Sequence, residues 1–127
     1  MAGRLTISTL NDDTGVLATQ NGMTGIAKAW VNFNGIPTVA IRASYNVSSV
    51  TRTSTGQYTV NFTTAMPNAD YAPQGTADFF GGSSPIVCVS DYLYSNPPTT
   101  TSCKLFVRDN FAQYQDVAGI YVTIFSS

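Results

Sequence analysis

The chain contains no histidine, and its acidic residues are all aspartate. The lack of imidazole removes the Ser-His-Asp and Cys-His nucleophile schemes, in which that ring takes the proton. It also removes the commonest ligand of a tetrahedral zinc site, which Cys88 and Cys103 cannot close alone. Asp12 and Asp13 could hold a hard cation together with nearby carbonyl oxygens. An Asp pair ahead of Thr14-Gly15 is also ordinary turn chemistry, and it reads that way here. Asp78 and Asp91, on neighbouring expected strands, are the carboxylates that could stand about 5–9.5 Å apart, as glycoside hydrolysis requires. Neither sits among residues that announce a cleft. No GxxxxGK[ST] or GxGxxG sequence occurs, so a nucleotide site has no support. The chain reads as a non-enzyme without a cofactor or a bound metal.

Binding is a different matter. Saccharide sites combine an aromatic face with a few placed amides, carboxylates and hydroxyls. Two segments have that composition: Ser90–Asn96, with Tyr92, Tyr94 and Asn96, and Asp109–Tyr114, with Asn110, Phe111 and Tyr114. Both run into or form loops, where recognition usually lives. These six residues are the candidate receptor-binding set. Their competing reading is structural, with Tyr92 and Tyr94 as sheet residues and Phe111 as a loop anchor tucked into the core.

The elements that must position these groups are strands. The chain has 127 residues, enough for one domain with a real core. Charged residues make up only 10% of it, against about 25% in ordinary domains. Glu is absent and Lys is scarce, and these are the usual residues of solvated helix faces. Ser, Thr and Asn take their place, which suits strands and turns. The net charge of −1 and the absence of a basic patch argue against a nucleic-acid partner. No apolar run is long enough to span a bilayer as a helix, and the N-terminus has no signal-peptide core. Cys88 and Cys103 lie on separate expected strands. They read as buried free thiols made in a reducing cytosol, although a disulfide between them is geometrically open.

Period-two alternation marks the strands. Ala29, Val31 and Phe33 oppose Lys28, Trp30 and Asn32. Val39, Ile41 and Ala43 oppose Ala40, Arg42 and Ser44, and a shift of phase near Ser44 predicts a bulge or corner before Tyr45, Val47 and Val50. Thr53–Gly56 forms a hairpin turn, after which Tyr58, Val60 and Phe62 share a face. Strands are also expected over 71–80, 86–94 and 103–108, with a last one over 119–125. The pattern predicts an all-β antiparallel sandwich or jelly-roll-like barrel over 25–127. Residues 1–24 lack a large aromatic anchor and are expected to be an arm, with Arg4, Leu5 and Ile7 at its attachment end. Several strands carry bulky groups on both faces. Trp30, Tyr121 and Phe125 would lie outside a single core, so a homo-oligomeric interface is expected to cover them.

Three runs carry a resemblance: KAWVNFNG from Lys28, IRASYNVSS from Ile41 and YTVNFTTAMP from Tyr58. In this order and spacing, the stretch from Asn21 to Pro67 resembles a domain at the C-terminal end of many bacteriophage tail-fibre and other virion proteins. TTSCKLFVRD and AGIYVTIF resemble its later strands more faintly. The resemblance implies a β-structured virion component, typically trimeric, assembled in the bacterial cytoplasm and displayed on the particle. It brings no catalytic site. Members commonly carry a long fibre region before this domain, whereas about 20 residues precede it here. Two readings follow. One is a tail- or head-fibre component that adheres to a host surface glycan. The other is a capsid or tail decoration protein held to other virion proteins by its arm. A free carbohydrate-binding module is the alternative outside virions.

Overall fold

The computed structural model describes Gly3 and residues 26–78, 86–89 and 97–126. Among the described residues there are eight strands: β1 (Ala29–Asn34), β2 (Ala40–Tyr45), β3 (Val47–Ser54), β4 (Gln57–Phe62), β5 (Ala72–Ala77), β6 (Ile86–Val89), β7 (Ser102–Arg108) and β8 (Ile120–Phe125). They form two antiparallel four-stranded sheets, ordered β2-β1-β8-β5 and β3-β4-β7-β6. This is the sandwich form of the expected all-β architecture. The two sheets, in that order, are sheet A and sheet B. The expected strand over 71–80 is shorter than its pattern, with β5 ending at Ala77.

Each inner face is the apolar half of an alternating strand. Ala29, Val31 and Phe33 of β1 are buried, as are Tyr58, Val60 and Phe62 of β4. Cys103, Leu105 and Val107 of β7 and Ile120, Val122 and Ile124 of β8 complete the layer between the sheets. Phe33 of sheet A meets Tyr58 of sheet B edge to face, with ring centroids 5.2 Å apart. Phe62 meets Tyr71 in the same manner at 5.8 Å. Such pairs contribute about 0.5–1.5 kcal/mol beyond their buried area.

Two features join the sheets along the β2–β3 edge. In β2 the register slips between Asn32 and Phe33, so Arg42 is the extra residue of a bulge. The phase therefore changes at Arg42, two residues earlier than the alternation suggests. The chain then turns from sheet A into sheet B at Asn46, a non-glycine residue with φ of 55°. Its side-chain amide donates to the carbonyls of Lys28 and Thr64, each at 3.1 Å, and its Oδ1 accepts the Thr64 N–H at 2.7 Å. Asn tolerates this left-handed region because its short polar side chain can bond locally. At the opposite end of the sandwich, Gly56 (φ 65°) closes the β3–β4 hairpin. A Cβ there would lie 2.5 Å from the Val107 carbonyl oxygen, so only glycine fits.

Cys103 is a free, buried thiol. Burial pushes its pKa up to about 12, so almost no thiolate exists at neutral pH. Cys88 sits opposite Phe106 in the β6–β7 register, three residues along β7 from Cys103. In a Cys88→Ser chain the remaining thiol should stay unreactive toward a water-soluble disulfide reagent until denaturant is added. Rapid labelling of the native protein would show that this region opens readily.

Candidate functional site

The two sheets carry different side chains on their outer surfaces, and that of sheet B includes Lys104 and the largely covered ring of Phe106. On sheet B, Ser49, Thr51, Thr59 and Asn61 share the outer face, and the Asn61 amide bonds the Ser49 hydroxyl at 3.0 Å. On sheet A several outer positions are aromatic, among Asn32, Gln74, Thr76 and Thr123. Trp30 stands directly across from Tyr45 on β2 and from Thr123 on β8. Tyr121 and Phe125 follow on the same face of β8, since they alternate with buried Val122 and Ile124. Trp30 and Tyr121 are each 39% exposed and Tyr45 is 58% exposed, while Phe125 is half-buried. The alternation thus placed Trp30, Tyr121 and Phe125 on one surface. Tyr45 joins them only because the bulge at Arg42 reverses the phase of β2.

This face carries charge only at its border. Arg42 reaches across β1 to the Ala118 carbonyl at 2.7 Å and to Asn32 Oδ1 at 3.3 Å. Asp78 accepts the Tyr121 hydroxyl at 3.1 Å, which raises the pKa of that phenol. Asp78 therefore anchors an aromatic side chain. Asp91, the other carboxylate weighed for glycoside hydrolysis and set aside, lies outside the described residues, as do Asp12, Asp13, Tyr92, Tyr94, Asn96, Arg4, Leu5 and Ile7.

The loop between β7 and β8 holds the remaining candidates. Asp109 organises it: Oδ1 accepts the N–H groups of Phe111 and Gln113, both at 2.9 Å, and Oδ2 accepts the Gln115 amide at 3.2 Å. The Gln113 N–H, foremost among these, holds the Asp109 carboxyl below its ordinary pKa against the opposing effect of burial. Ala112 takes a φ of 63°, which favours glycine, and the Asp109 bonds offset that strain. Phe111 projects from this rigid turn at 72% exposure beside exposed Asn110. The expected alternative for Phe111, a ring tucked into the core, does not occur. Tyr114 is committed elsewhere. Its hydroxyl accepts from Arg108, whose guanidinium lies 4.5 Å from the Tyr114 ring centroid.

A second network ties the end of this loop to sheet B. Asp116 accepts both Arg52 nitrogens, Nε at 3.0 Å and Nη2 at 2.7 Å, the Gly56 N–H at 2.8 Å and the Tyr58 hydroxyl. Burial alone would raise the Asp116 carboxyl, but the bonds from Arg52, Tyr58 and Gly56 outweigh it and the net shift is downward. The Tyr58 phenol is pushed up, first by burial and then by its bond to Asp116. These groups serve the fold. Among the described residues no three cysteines or carboxylates gather as a metal site would require.

No family model, no curated protein and no solved structure matches the chain.

Proposed function

We propose that the chain is a structural component of a bacteriophage virion, a tail- or head-fibre piece that assembles as a homotrimer and adheres to the host surface. One observation carries the self-associating part: Trp30, Tyr121 and Phe125 stand together on the outer face of β1 and β8, the two middle strands of sheet A, with charge only at the border of that face. A soluble domain gains nothing from rings gathered on one side unless something covers them. In a three-fold ring these residues pack against the neighbouring copies around the axis, and no copy brings a charge to the centre of the contact. The virion part and the adhesive part are both supported by the resemblance of Asn21–Pro67 to tail-fibre domains, whose usual place is at fibre ends.

Light scattering after size exclusion is expected to give three times the 13.5 kDa protomer mass. Trp30→Asp places a charge at the centre of the interface and should weaken association by roughly 100-fold or more, yielding monomer at micromolar concentration. A monomeric parent chain, or a Trp30→Asp chain that stays trimeric, would defeat the interface. Immunolabelling of whole particles tests the location. Label at fibre tips supports the reading, and label at capsid symmetry axes replaces it with decoration.

A further inference from the structure

A cleft of about 420 Å³ opens at the Asn46 end of the sandwich, away from the Asp109–Asp116 loop. Its size falls within the range of about 300–1,000 Å³ typical of small-ligand sites. Tyr45, Thr63, Thr64 and Pro67 line it, and buried Met66 contributes an apolar surface. The Asn46 corner holds this frame still. Its side chain fixes Thr64 at both N–H and C=O, its own carbonyl accepts the Thr63 N–H at 3.2 Å, and the Met66 N–H bonds the Thr100 carbonyl at 2.7 Å.

Three hydroxyls of this cleft are uncommitted among the described residues. The hydroxyls of Tyr45, Thr63 and Thr64 make no side-chain hydrogen bond among the described residues, whereas the Asn46 amide is used up on the backbone. Lys28, the one charged residue of the lining, has a partner of its own. An exposed ring, three hydroxyls able to donate and accept, and little net charge match one ligand chemistry. A pyranose offers an apolar C–H face for stacking and a rim of hydroxyls for bonding. We infer that this cleft, and not the Phe111 loop, is the saccharide-binding site of the protein, taking an uncharged hexose or N-acetylhexosamine unit stacked on Tyr45. The ligand class rests on the adhesive reading above, while the cleft and its free hydroxyls stand without it.

The test uses the full chain against an array of neutral and acidic oligosaccharides built from hexoses and N-acetylhexosamines. Binding of the strongest neutral hit is followed by the emission of Trp30, the chain's single tryptophan and the residue directly across from Tyr45. A saturable change in emission is expected. Tyr45→Ala should weaken binding about tenfold or more, and Thr64→Val by about threefold or more, since the latter removes a hydroxyl but keeps both backbone bonds to Asn46. Phe111→Ala should leave affinity unchanged, and melting temperatures confirm that all three variants are folded. Binding to no neutral sugar overturns the inference. So does affinity that survives Tyr45→Ala and is lost in Phe111→Ala. A trimer located on particles that binds no sugar overturns the cleft alone. A sugar-binding monomer absent from particles overturns the virion reading alone.

Discussion

Replacing Asp116 with alanine is expected to destabilise the fold by about 3 kcal/mol, which lowers the melting temperature by roughly 10 °C. The size of the effect does not come from the ion pair. The Arg52 side chain is 40% exposed, and ion pairs of this kind contribute about 0–1 kcal/mol. It comes from what Asp116 satisfies in the interior. Tyr58 is 1% exposed, and its hydroxyl and the buried Gly56 N–H both end on Asp116 Oδ1. Without that oxygen, two buried donors lose their acceptor, at about 1–3 kcal/mol each. Arg52→Ala should therefore cost less than about 1 kcal/mol. Tyr58→Phe should fall between the two, because it removes one donor together with its need. Chemical denaturation of the three variants checks the order, and an Arg52→Ala chain as damaged as Asp116→Ala would reverse the assignment.

The same network sets a pH dependence. The folded-state pKa of Asp116 lies below its unfolded value, so its contribution is complete above about pH 4 and is lost as pH falls through the lowered folded value. Asp109 acts in the same direction. Tyr58 has the opposite sign. Its folded pKa is raised, so its contribution is complete below about pH 10 and is lost at higher pH as the unfolded chain ionises. Stability should form a plateau between these limits. Asp116→Asn should flatten the acid limb, and an acid limb unchanged in that variant would assign it to other carboxylates.

Asn46→Ala is the second large effect, at about 3 kcal/mol. Alanine at a φ of 55° costs about 1–2 kcal/mol, and the loss of the bonds to Lys28 and Thr64 contributes the rest. Asn46→Gly separates the two causes. It accepts the backbone angle and loses only the side-chain bonds, so it should be more stable than Asn46→Ala by about 1 kcal/mol. Equal stability of the two variants would show that the left-handed corner is not what asparagine is there to solve. Both should also loosen the Thr63–Pro67 wall, which predicts weaker saccharide binding even where the fold survives.

The periodic part of this protein was legible in its residues. The sets Ala29/Val31/Phe33, Tyr58/Val60/Phe62 and Ile120/Val122/Ile124 each follow the two-residue repeat of a half-buried strand, and all are buried together. The outward placement of Trp30 and Tyr121 follows from the same local rule. The rule fails where the backbone departs from ideal pleating. The bulge at Arg42 moves Tyr45 to the aromatic face, and no count of alternating residues can locate an inserted one. The remaining features are non-local. Asp116 meets Tyr58 from 58 positions away, and Thr64 meets Asn46 from 18. Composition could say that this chain would be strands with a hydroxyl-rich, weakly charged surface. Which rings share a face, which hydroxyls are left uncommitted and where a cleft opens depend on how two sheets are stacked, because distance along the chain carries no information about distance across a sandwich.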